Sequence, residues 1–120
     1  MARVFTRAPG AAATTASGNS GALQVHEYNE LAVDISVTAV AGTTPNMALF
    51  LERQGTDGVW YPIWSPTAIT AATTLSVTVS ANTPAGTSNV QHSFGDTARL
   101  RWAITGTNPS FTWSGSIKGK

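Results

Sequence analysis

The sequence predicts an all-β fold: an antiparallel β-sandwich of jelly-roll type, with about seven or eight short strands behind an extended N-terminal arm. Two observations predict it. Apolar residues recur with a period of two through most of the chain, and the alternating runs are separated by Gly, Pro, Asn and Thr clusters, with no convincing 3.6-residue period anywhere. The 120 residues suit one domain. We divide them into a flexible arm, residues 1–21, and a sandwich domain, residues 22–120.

The arm is read from APGAAATTASGNSGA, residues 8–22, which holds nothing larger than Asn. Such a segment buries too little apolar surface to offset a backbone ordering cost of about 1–2 kcal/mol per residue. By itself it is a disordered tail, or an arm that orders on a neighbouring subunit. Val4 and Phe5, set between Arg3 and Arg7, form a short anchor near its tip.

The strands follow in order. ALQVHEY, residues 22–28, leads in. In LAVDISVTA, residues 31–39, Leu31, Val33, Ile35 and Val37 share one face and Ala32, Asp34, Ser36 and Thr38 the other, which describes a half-buried strand. Met47, Leu49 and Leu51 alternate with Ala48, Phe50 and Glu52, and the link AGTTPN reads as a turn or loop. QGTDGVWYPIW reads as a hairpin tip at Asp57-Gly58 followed by a strand that Pro62 marks as an edge or a bulge. Further strands are read around Leu75, Val77 and Val79, in SNVQHSF at residues 88–94, around Ala98, Leu100, Trp102 and Ile104, and around Phe111, Trp113 and Ile117.

Composition narrows the function. Seven basic residues face six acidic ones, and charged residues make up 11% of the chain, so the clustered cations of a phosphate footprint are missing and nucleic acid is not an expected partner. With no cysteine, there is no disulfide framework and no thiolate site. No apolar run reaches membrane-spanning length and the opening residues carry no apolar signal core, which predicts a soluble protein made in the cytoplasm.

Catalytic patterns fail one by one. HEYNE, residues 26–30, begins like the helical zinc motif His-Glu-x-x-His but places Glu30 where the second histidine belongs, on a segment that runs into a strand. His92 stands alone in a polar strand. Glu27, Glu30, Asp34, Glu52, Asp57 and Asp96 are dispersed, and Glu52, Arg53, Arg99 and Arg101 are assigned to solvent-facing positions where ion pairs contribute about 0–1 kcal/mol each. We expect no enzyme, no metal and no cofactor.

The aromatic residues remain as binding candidates. Trp102 and Trp113 fall on apolar faces and are assigned to the core. For the others, either Val59, Tyr61 and Ile63 face inward, so that Trp60, Pro62 and Trp64 face outward together, or a bulge at Pro62 turns one tryptophan into the core. An outward Trp60/Trp64 pair would suit a sugar platform in a carbohydrate-binding module. It would equally suit a packing surface, together with Phe50 on the outward face of its own strand, and Trp and Tyr dominate such interfaces.

The runs LQVHEYNELAVDISVTAVAGTTP, LERQGTDGVWYPIW and FGDTARLRWAITGTNPSF, with a terminal strand ending in IKGK, resemble the small β-sandwich virion proteins of tailed bacteriophages over residues 22–120. This resemblance implies a capsid decoration (cement) protein. Such a protein binds the outer surface of the assembled head and clamps adjacent major capsid proteins, often as a homotrimer with an N-terminal arm reaching the lattice. Arm composition and strand-face assignment give the interface roles to Arg3, Val4, Phe5 and Arg7 on the arm and to Phe50, Trp60, Pro62 and Trp64 on the domain. A tail or head-completion protein is the neighbouring alternative, since β-sandwiches occur there too.

Overall fold

The computed structural model describes residues 2–82, 84–86 and 89–120. All of their regular structure is strand: β1 Ala2–Arg7, β2 Gly18–Asn19, β3 Leu23–Gln24, β4 Glu30–Gln54, β5 Trp60–Trp64, β6 Thr73–Ser80, β7 Asn89–Gln91 and β8 Thr97–Gly119. They make one open eight-stranded sheet. The sheet is mixed rather than wholly antiparallel, because β7 runs parallel to β6. Ser88, at the start of the strand expected over residues 88–94, lies outside the described residues.

Two very long strands organise the sheet. β4 and β8 pair antiparallel from Leu31↔Gly119 to Arg53↔Ala98, so four strands expected as separate elements are in fact the two halves of each. AGTTPN does not reverse the chain. It bends β4 where β8 also bends, with register slips between Val37 and Asn46 and with left-handed backbone at Gly42, Thr44, Gly106 and Asn108. The contacts are reciprocal. A Cβ on Gly42 would lie 2.6 Å from the Asn108 carbonyl oxygen, and one on Gly106 would lie 2.8 Å from that of Thr44. Gly and Pro mark a bulge as readily as a turn, and only the pairing partner distinguishes the two.

On either side of the bend the neighbours differ. The first half of β4 lies between β6 and the second half of β8, whose other edge takes β1. The second half of β4 lies between β5 and the first half of β8, whose other edge takes β2 and β3. The expected alternation holds in both halves: Leu31, Val33, Ile35 and Val37 are buried, as are Met47, Leu49 and Leu51, and all belong to one cluster with Leu100, Phe111, Trp113 and Ile117. Trp113 is 2% exposed and Trp102 is partly buried against the same cluster. Their rings meet edge to face at 5.3 Å and 70°.

The N-terminal segment differs from the expected free arm. β1 pairs with the terminal part of β8, Val4 and Phe5 pack against the core, and Thr14 bridges to Phe111 through both backbone hydrogen bonds. The Ser and Thr side chains of this small-residue stretch do what an apolar residue cannot. Trp113 Nε1 donates to Thr14 Oγ1 (2.9 Å), the Ile104 amide to Ser17 Oγ (2.8 Å) and the Leu100 amide to Ser20 Oγ (3.0 Å). Open-edge backbone groups of β8 are thereby satisfied, which composition alone does not foretell.

Candidate functional site

The hairpin between β4 and β5 begins the site. Gly58 takes a left-handed conformation (φ +82°), its amide donates to the Gly55 carbonyl (3.0 Å), and the Gly55 amide donates to the Val59 carbonyl (2.8 Å). Asp57 closes the tip, accepting from the Val59 amide at 3.0 Å and from the Tyr61 hydroxyl at 2.6 Å. The Tyr61 bond, helped by the Val59 amide, holds the Asp57 carboxyl below its usual range, and the same bond holds the Tyr61 phenol above its own.

β5 is an edge strand with a bulge. Trp64 lies opposite Leu51 and Pro62 opposite Glu52, so Ile63 is the extra residue. The bulge decides between the two registers open to the sequence. Trp64 turns to the Leu51 face and packs on the core, Ile63 is buried, and Trp60 and Pro62 stay on the Glu52 face. Trp60 and Trp64 therefore form no common platform. Val59 and Tyr61, assigned inward in one reading, are 50% and 39% exposed.

On the outward face, Glu52 is 4% exposed, against the expectation of a solvent-facing carboxylate. Its Oε1 accepts from Arg99 Nε (2.8 Å), directly across the β4–β8 ladder, and from Arg101 Nε (3.1 Å), one step along. Each guanidinium also covers a ring: Arg99 lies 4.3 Å from the Trp60 centroid and Arg101 lies 4.0 Å from that of Phe50. Trp60, Arg99, Glu52, Arg101 and Phe50 thus tile three adjacent strands. Cation–π contact and charge-assisted hydrogen bonds fix the arginine planes together. Sequence reading found the two rings but missed the three charged residues, although their alternation with Leu51, Ala98 and Leu100 already places them on one face.

Replacing Glu52 with alanine is expected to lower unfolding stability by about 1–3 kcal/mol, read from urea midpoints. Two charge-assisted bonds are lost, and the cost stays below that of a fully buried pair because the arginine side chains are 21% and 34% exposed and reach water. Glu52→Gln, which keeps an acceptor, should lose less.

The arm residues of the sequence reading are used within the chain. Arg7 stacks on Trp113 at 4.9 Å, its Nε donates to the Trp113 carbonyl (3.2 Å), and its terminal nitrogen donates to the Ala12 carbonyl. Arg3 is exposed, its backbone paired with Lys118. These four residues lie along β1, apart from the strands carrying Phe50, Trp60 and Pro62.

A shallow cavity of about 620 Å³ opens over β1, β8, β4 and β6, lined by Thr6, Ser36, Ser114 and Ser116 and by Asp34, which accepts from Ser76 Oγ at 2.8 Å. Among the described residues no aromatic ring lines it. Among the described residues no group of three His, Asp or Glu side chains gathers as a metal site, and no helix is long and apolar enough to cross a membrane. No family model, curated protein or solved structure matches the chain.

Proposed function

We propose that this chain is a non-enzymatic structural subunit of a tailed-phage particle, a decoration protein that binds the outside of the capsid, contacts the major capsid protein and works as a homotrimer. The observation that carries the reading is the Trp60–Arg99–Glu52–Arg101–Phe50 face. Aromatic and arginine side chains dominate association when they are held rigid and centrally placed, and here they stand ready on a chain of low overall charge. The resemblance of residues 22–120 to phage virion proteins supplies the address. We further propose that the two halves of the bent sheet face one another as the layers of a sandwich, since both contribute to one buried cluster.

The sugar-platform alternative loses its paired rings, because Trp64 packs inward and Arg99 covers Trp60. The hydroxyl-lined cavity offers hydrogen bonds without a stacking ring. The test is co-sedimentation with undecorated heads. Substituting Phe50 and Trp60 together with alanine is expected to weaken binding by about thirtyfold or more while the far-UV spectrum is retained, as for an interface hot spot. Undiminished binding overturns the interface reading. Binding to tails and not to heads moves the assignment to the tail.

A further inference from the structure

We infer that Arg99 and Arg101 form a receptor for carboxylates on an acidic segment of the partner protein. The inference rests on the proposed interface role of this face and names the chemistry of what it meets. Each guanidinium gives its Nε to Glu52, and among the described residues no protein acceptor takes a terminal nitrogen of either. The terminal nitrogens are the half of the fork that grips a carboxylate oxygen pair.

Preorganisation strengthens the case. An arginine free in solvent loses much rotamer freedom on binding, whereas Arg99 and Arg101 are already ordered by Glu52 on one edge and by Trp60 and Phe50 beneath. Glu52 therefore acts as a positioning residue: it orients both forks and neutralises only one of the two cations. The uncharged Gln54, Pro62, Ala48 and Ala103 share its face by register and leave the second cation uncompensated. A carboxylate from outside completes the charge balance.

Other anions fit less well. A nucleic-acid backbone needs a longer run of cations than this pair, on a chain whose net charge is +1. A second copy would have to present one of its own carboxylates: Asp57 and Asp34 are already bonded, to Tyr61 and Ser76, whereas Glu27 and Asp96 are exposed, so self-association is the competing outcome of the titration. An acidic partner segment supplies a carboxylate to each fork.

The test titrates the full chain with the peptide acetyl-Glu-Ala-Glu-Ala-Glu-amide and follows the Nε–H resonances of Arg99 and Arg101 by NMR. Sodium chloride at matched ionic strength and inorganic phosphate are the comparison arms. Saturable shifts of both resonances are expected with the peptide and not with chloride. In Arg101→Lys, which keeps the charge and loses the fork, affinity should fall about tenfold. Equal shifts with chloride, response to phosphate alone, or concentration-dependent self-association that removes the peptide response would each overturn the inference. If the peptide binds but the Phe50 and Trp60 substitutions leave head binding intact, the interface reading fails and the carboxylate site stands. If head binding needs those rings and the peptide shifts nothing, the inference fails alone.

Discussion

Trp113→Ala should lower unfolding stability by about 3–5 kcal/mol, the range for emptying an aromatic site in a packed core. The side chain is 2% exposed and sits where the two halves of β8 and the N-terminal segment converge. Truncation removes more than volume. It breaks the edge-to-face pair with Trp102, the Nε1 bond to Thr14 and the surface on which Arg7 stacks. Amide exchange should therefore rise most in β1 and around Thr14, where few other side chains hold the segment down. Guanidinium unfolding with parallel exchange measurements checks both parts: a uniform loss of protection would show that Trp113 does not anchor the N-terminal segment.

Gly42→Ala should cost about 2–4 kcal/mol and disturb the bend shared by β4 and β8. Two terms contribute. At φ +110° an alanine is strained whatever its surroundings, and its Cβ would fall 2.6 and 2.9 Å from the Asn108 and Thr107 carbonyl oxygens of the facing strand. Those atoms are backbone, so relief requires the strands to part. Gly58→Ala is the informative comparison. Its φ of +82° carries the strain term alone, with nothing within 4 Å of the new methyl, so its loss should be about 1 kcal/mol. Equal thermal midpoints for the two variants would remove steric contact from the account of the bend.

These two residues also show why the sequence could be read only in part. Period-two alternation placed Leu31, Val33, Ile35, Val37, Leu49 and Leu51 on the buried side, because a strand's side-chain direction is local information. Trp113 could be assigned to the core on the same ground. The continuity of β4 through Gly42 could not be, since a glycine that turns a chain and one that kinks a strand look alike until the partner is known. For the candidate site the division is similar. Phe50 and Trp60 stood out as aromatic residues at outward positions, whereas Glu52 and its arginines looked like ordinary surface charges. Their significance comes from an ion pair whose members lie 47 positions apart in the chain.

The sequence by itself determined the all-β class, the buried faces, the Asp57-Gly58 hairpin and the edge character of β5 marked by Pro62. Each depends on residues within a few positions of one another. Tertiary structure alone decided that four strands are two, that β7 runs parallel, that residues 2–7 close the β8 edge, and that Trp64 turns inward while Trp60 stays out. All of these are questions of pairing register, and register is set by where a second strand lies, through hydrogen bonds and bulges that a single strand does not encode.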